Sequence, residues 1–274
     1  MRRIAALISC LVLTTSAPTY EVYAVRFAAY HGFPTAALVS GADTSRRQDI
    51  AFMIWVMKGP NHRTALLDAG FYRPEVHRQW TISDYQQPSA AIAKVGLRPD
   101  DVTDIIISHV HWDHLDGADL FPKARIWIQR DEYRHYVGDD GHPLDRAIDT
   151  LDAAMLARLY RAGRVTLIDG DAREIIPGIT VYTGGRHTYA SQYVGVATTA
   201  GTVVLASDNA YLYENLATRA PIAQTFAPAD TASNRQAQAR MSRIASDPRL
   251  IVPGHDPDVF VRFPAPGDGV ARIQ

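Results

Sequence analysis

Cysteine is nearly absent from this chain. Cys10 is the only one in 274 residues, so no internal disulfide can form. Neither sign of charge is in excess: 28 Lys and Arg face 29 Asp and Glu, a formal net charge of -1. Such a balance supplies no bulk field to recruit nucleic acid or an anionic membrane. No apolar run reaches the roughly 20 residues of a membrane-spanning helix; the run Ile4 to Leu13 stops well short. Linkers rich in Pro, Gly or Ser, blocks of like charge and tight repeats are also missing, so residues 18–274 read as one domain. What is present, 47% hydrophobic and 21% charged residues, suits a globular protein with a substantial core.

Residues 1–17 read as a signal peptide. Arg2 and Arg3 form a basic head, residues 4–13 an apolar middle, and Thr14, Thr15, Ser16 and Ala17 a small-residue exit. Pro18 makes a cut after Ser16 better than one after Ala17. Export to a periplasm or the medium follows as an expectation, and the lone cysteine is compatible with it. Leu7-Ile-Ser-Cys10 also resembles a lipoprotein box, which would make Cys10 a lipid anchor.

Strand signals, rich in aromatic and β-branched residues, cover residues 20–27, 50–57 and 64–68. The last two flank the turn cluster Lys58-Gly-Pro-Asn-His62 and read as a hairpin. Residues 28–49 lack a clear period and read as a long loop, of a length that is usually functional or an interface arm. Helical spacing at 89–95 stops at Gly96. A short apolar strand at 104–108 leads into a histidine-rich motif, and a strand at 124–129 is followed by helices at 130–137 and 143–161. Three or four strands lie between 164 and 207, then a helix at 231–246 and a strand at 250–252. Two strand-rich stretches, each followed by helices, point to an α/β sandwich of two packed sheets.

The motif is His109-Val-His111-Trp-Asp113-His114. Side chains two apart on a strand share a face, so His109 and His111 point one way, and a turn would aim Asp113 and His114 at a second position. Imidazole and carboxylate are ligands for zinc and its transition-metal neighbours. Three further strand ends carry ligand types: Gly184-Gly-Arg-His187, Ser207-Asp208 and Pro253-Gly-His255. His31, His62, His77, His135 and His142 lack that context and read as surface or loop residues.

His-x-His-x-Asp-His resembles the motif of the metallo-β-lactamase superfamily. That resemblance implies an αββα sandwich of two mixed β-sheets with helices on the outer faces and two metals at one sheet edge. It assigns His109, His111 and His187 to one metal, Asp113, His114 and His255 to the other, and Asp208 as the bridge. Zinc is the default from the ligand types; iron, manganese and cobalt are compatible. The stretches Tyr20-Glu-Val-Tyr-Ala-Val-Arg-Phe27, Leu66-Leu-Asp-Ala-Gly-Phe71, Val203-Val-Leu-Ala-Ser-Asp-Asn-Ala-Tyr-Leu-Tyr-Glu-Asn215 and Ile251-Val-Pro-Gly-His-Asp-Pro257 are similar to the N-acyl-homoserine lactonase branch.

By that resemblance the substrate is a small lactone or ester, opened by a hydroxide held between two divalent metals. Tyr211, three residues after Asp208, would assist at the carbonyl or leaving oxygen, with Tyr213 the neighbouring candidate. Asp113 would orient the hydroxide or pass a proton as well as ligate. Phe33, Phe52, Met53 and Trp55 are candidates for acyl-chain recognition, some of them necessarily core. Arg186 reads as a surface ion pair ahead of a substrate contact. The 28–49 segment resembles an arm through which relatives form homodimers. The same site could serve another lactone, an ester or a β-lactam. Asp208 disfavours the last, the lack of a C-terminal helical domain disfavours a glyoxalase II role, and an intact His motif disfavours diiron flavoprotein chemistry.

Overall fold

The β1–β2 pair sets the frame. In a computed structural model, which describes residues 18–274 apart from Pro264 and Pro266, β1 (Glu21–Pro34) and β2 (Arg47–Lys58) run antiparallel from Glu21 opposite Lys58 to Pro34 opposite Arg47. Residues 1–17, read from sequence as a signal peptide, and with them Cys10, lie outside the described residues.

Residues 28–34 and 47–49, read from sequence as loop, are therefore strand, and only residues 35–46 connect. Two register irregularities, between Arg26 and Ala28 and between Tyr30 and Phe33, account for the difference. With Gly32 at φ 70°, they break the alternation by which a strand is recognised.

A seven-stranded sheet grows on this pair in the order β12 (Val270–Arg272), β1, β2, β3 (Thr64–Leu67), β4 (Asp104–Ile106), β5 (Arg125–Gln129) and β6 (Val165–Ile168). Its β1–β2–β3 side is antiparallel and its β3–β6 side parallel. The second sheet has the order β11 (Ile251–Pro253), β10 (Gly201–Ser207), β9 (Gln192–Thr198), β8 (Ile179–Thr183) and β7 (Arg173–Ile176). Only its β10–β11 pair is parallel. Residues 164–207 thus hold five strands; the short, largely exposed β7 gives no apolar run to read.

Alternation along each strand builds the layers. On β2, Met53, Trp55 and Met57 join Leu67, Ile106, Val194, Val203 and Leu205 between the sheets. Phe52, Ile54 and Val56 face the other way, with Leu66 and Ile105, onto the helical side. On β10, Val204 and Ala206 turn outward to meet Ala237 and Met241 of the helix Thr231–Ile244. Helices thus cover both outer faces, an αββα sandwich of two mixed sheets. Each buried side chain of this size contributes about 1.5–3 kcal/mol.

The hairpin at β2–β3 turns through Asn61 and His62, both in the left-handed region. The helix read at 143–161 begins only at Thr150, because Pro143 pairs with Val137 and Asp149 caps the helix start by accepting from the Leu151 N–H. Among the described residues no helix is long and apolar enough to cross a membrane.

Candidate metal centre

Four strand ends meet at one edge of the sandwich. β4 leads through Ile107 and Ser108 to His109 and His111, and the turn Trp112–Leu115 carries Asp113 and His114. β8 leads to His187, β10 to Asp208 and β11 to His255. Three residues beside these ends, Asp68, Arg186 and Ser207, hold φ of 63°, 56° and 46°. Left-handed backbone at a non-glycine residue costs on the order of 1–3 kcal/mol, and here it re-aims the chain at the cluster. Gly254 is required by close approach: a Cβ there would lie 2.9 Å from Asp208 Oδ1.

Two groups of donor atoms form. His109, His111, His187 and Asp208 make one, and Asp113, His114 and His255 the other, the atoms of each within 4.8 Å of one another. Nε2 of His109 and of His187 stand 3.0 and 2.9 Å from His111 Nδ1. Asp208 faces both groups. Its Oδ2 lies 3.6 Å from His109 Nε2 and 3.3 Å from His187 Nε2. Its Oδ1 lies 3.4 Å from His114 Nε2 and 3.0 Å from His255 Nε2.

The outward nitrogens fix which atoms face in. His187 Nδ1 is 2.8 Å from the Gln224 carbonyl, and His255 Nδ1 is 3.0 Å from that of Ala51. A carbonyl only accepts, so both Nδ1 atoms carry protons and both Nε2 atoms turn lone pairs inward. His114 Nδ1 likewise donates to Asp68 Oδ2 at 2.8 Å. His114 Nε2 and Asp208 Oδ1 are buried without a hydrogen-bond partner. Converging lone pairs and an orphaned carboxylate oxygen are what cations satisfy, so the residues present fit two divalent ions.

The electrostatics agree. Burial, reinforced by neighbouring imidazoles, drives His109 well below the usual histidine range and His111 down to about 3. Around the second group burial opposes charge but loses. Asp113, Asp208 and Asp68 raise His114, while Asp208 and Asp113 raise His255. In return His114 and His255 hold Asp208 and Asp113 below the carboxylate range despite burial. The position welcomes positive charge, which a divalent ion supplies better than a proton.

Two bracing carboxylates give no motif in the sequence. Asp68 accepts from the Ser108 N–H and hydroxyl, the Ser207 hydroxyl and His114. Its signal, a carboxylate at the end of the apolar β3, is the same strand-end rule that singles out Asp208. Glu132 is fully buried and accepts from the Val110 N–H, the Thr188 hydroxyl and the Ala190 N–H. Burial pushes its carboxyl up to about 7 against those three donors. An acidic residue in a helix start looks like surface in sequence.

A cavity of about 190 Å³ opens over the cluster, with His111, Asp113, Asp208 and His255 as its floor and Phe33, Leu38, Ile50, Phe52, Trp80 and Trp112 as an apolar wall. Tyr211 also lines it, its hydroxyl 3.3 Å from His187 Nδ1. Burial, then the Asp208 and Asp113 charges, push that phenol well above its usual range, so it stays a donor. Tyr213 turns away, beneath the Arg262 guanidinium. Of the four acyl-chain candidates Phe33 and Phe52 reach the cavity, whereas Met53 and Trp55 occupy the inter-sheet core by strand alternation. Arg186 lies 3.6 Å from Asp230 and packs over Tyr189 and Phe226. None of the five remaining histidines joins either donor group.

The family model described as the metallo-beta-lactamase superfamily matches residues 51–255. An N-acyl homoserine lactonase of Bacillus thuringiensis is 31% identical over 134 residues, 48% of this chain and 48% of that protein. One of Bacillus cereus is 29% identical over 164 residues, 59% of each. The chain thus spans about half the length of the curated relatives it matches. A crystal structure of a quorum-quenching N-acyl homoserine lactone lactonase superposes with a TM-score of 0.72 at 21% identity, covering 89% of this chain and 94% of the other.

Proposed function

The chain belongs to the metallo-beta-lactamase superfamily, and from that premise we propose that it is a two-metal hydrolase that opens the ring of N-acyl-homoserine lactones. The observation that carries the reading is Asp208, which offers one carboxylate oxygen to each of two histidine groups beneath an apolar cavity. His109, His111 and His187 would hold one ion, and Asp113, His114 and His255 the other, with Asp208 shared and residues 18–274 forming one catalytic domain. Bound there, two divalent ions, zinc by ligand type, would acidify a water and polarise a carbonyl oxygen.

The chain's own residues do the rest. The apolar wall binds the acyl tail and excludes water from the floor. The Tyr211 hydroxyl donates to the lactone carbonyl or the departing ring oxygen as negative charge develops there. Asp113, ionised at neutral pH and open to the cavity, would orient the attacking water or pass a proton. Water adds to the acyl carbon, the ring C–O bond breaks, and a hydroxy acid results. Export rests on the composition of residues 1–17. A homodimer through the 28–49 segment completes the reading, and sedimentation would measure it.

The test is acid release by the metal-replete protein from homoserine lactones of several chain lengths. Turnover of at least one is expected. Cleavage of a thioester or phosphodiester with no turnover of any lactone would overturn the substrate assignment.

A further inference from the structure

We propose that Glu132 is the positioning residue of the first histidine group, setting the spacing of His109, His111 and His187 through the backbone on either side of them. The inference rests on the reading that the two donor groups hold metal ions. All three groups that donate to Glu132 belong to residues within three positions of first-group ligands. The Val110 N–H, between His109 and His111, donates at 3.1 Å. The Thr188 hydroxyl, next to His187, donates at 2.6 Å, and the Ala190 N–H at 2.7 Å.

Those two loops come from different sheets, one following β4 and the other β8. Glu132 is therefore a clasp across the open edge of the sandwich. It stands in the first turn of the helix Arg130–Tyr136, directly after β5. One turn on, the Tyr136 hydroxyl oxygen accepts from the Tyr189 N–H at 3.0 Å, so the same helix grips the His187 loop twice.

Nothing in the second group touches Glu132. Asp68 braces that group directly, accepting from His114 Nδ1, and its hold on Ser108, whose hydroxyl lies 2.9 Å from His109 Nδ1, reaches the first group as well. Of the two buried carboxylates, Glu132 therefore serves the first group only and Asp68 reaches both. Metal–nitrogen distances tolerate displacements of only about 0.2 Å, so a loop that relaxes on loss of its clasp changes affinity before it changes fold. A glutamine has the shape of Glu132 but must turn its NH2 toward an N–H or hydroxyl donor, and one of the three contacts is lost.

The experiment is competitive titration of the metal-free full chain with Co(II) against a chelator, read by the visible absorption of each bound equivalent. Wild type should take two equivalents. Glu132→Gln should weaken one of them by about 10–100-fold and leave the other within about threefold, the usual effect of an outer-sphere partner. Asp68→Asn should weaken the equivalent that Glu132→Gln spares, and the other to a lesser degree. Thr188→Val, which keeps the carboxylate and removes one donor, should act in the same direction as Glu132→Gln, with Thr188→Ser restoring affinity. That series decides the matter should Glu132→Gln fail to fold. Unchanged affinities, or equal weakening of both equivalents by Glu132→Gln, would overturn the assignment to Glu132 while leaving the two-metal reading intact. Fewer than two equivalents in wild type would overturn both.

Discussion

The cavity's floor and its wall are built by different physics. The floor and the histidines behind it are ionisable and buried, and three of those histidines are fixed by directional bonds: His255 on the Ala51 carbonyl, His187 on that of Gln224, His114 on Asp68. The wall is aromatic and aliphatic and rests on ring contacts. Phe33 stacks on Trp80 at 6.3 Å and 11°, Trp80 tilts against Trp112 at 5.4 Å, and Trp112 against Phe52 at 5.9 Å. A buried hydrogen-bonded charge cannot be altered without orphaning its partner. Ring pairs contribute about 0.5–1.5 kcal/mol each beyond burial and can repack. The floor therefore fixes the reaction, and the wall decides what fits over it.

The largest expected effect is on the floor. Asp208→Asn neutralises the carboxylate that faces both donor groups, and kcat for the proposed lactone opening should fall on the order of a thousandfold with loss of bound metal. Steady-state kinetics with metal analysis would show it, and near-normal turnover would erase the distinction between floor and wall. Tyr211 stands at the boundary. Tyr211→Phe deletes one donor and should lower kcat about tenfold, the worth of one hydrogen bond in the transition state, with KM little changed. A change confined to KM would move Tyr211 into the wall.

Trp80→Ala tests the wall itself. Widening the cavity should shift preference toward longer acyl tails by roughly three- to tenfold in kcat/KM, with kcat on the best substrate retained. A collapse of kcat across all chain lengths would show that the wall supports the floor.

The smallest effect lies behind the wall, where Arg73 bridges the buried Asp116 and Asp152. Burial and the Asp116 charge push Asp152 up to about 7. Between its unfolded value near 4 and that value, the folded state holds the extra proton, so wild-type stability falls as pH rises through the window. Asparagine does not titrate. The deficit in thermal midpoint of Asp152→Asn should therefore be smaller at pH 8 than at pH 5. Scans at fixed metal content would check it, and a deficit that grows with pH would reverse the sign.

The contrast between floor and wall also explains what the sequence made legible. His109, His111, Asp113 and His114 lie within six consecutive positions, and His187, Asp208 and His255 each follow a short apolar run, a local pattern that survives without coordinates. The wall has no such pattern. Phe33 and Phe52 meet only because β1 and β2 pair through an irregular register, and Trp80 arrives on a separate connection. Whether Phe52 or Met53 faces the cavity depends on a single step of strand register. Asp68 could have been found by the strand-end rule. Glu132 could not, because the loops it joins come together only when the two sheets pack.

The central claim is that the floor holds two ions and that ring opening depends on both. Metal-stripped protein, reconstituted stepwise and assayed on an N-acyl-homoserine lactone with the bound metal counted at each step, tests it most directly. Turnover should approach its maximum only as the second equivalent binds. Saturation at one equivalent, or full turnover in the stripped protein, would contradict it.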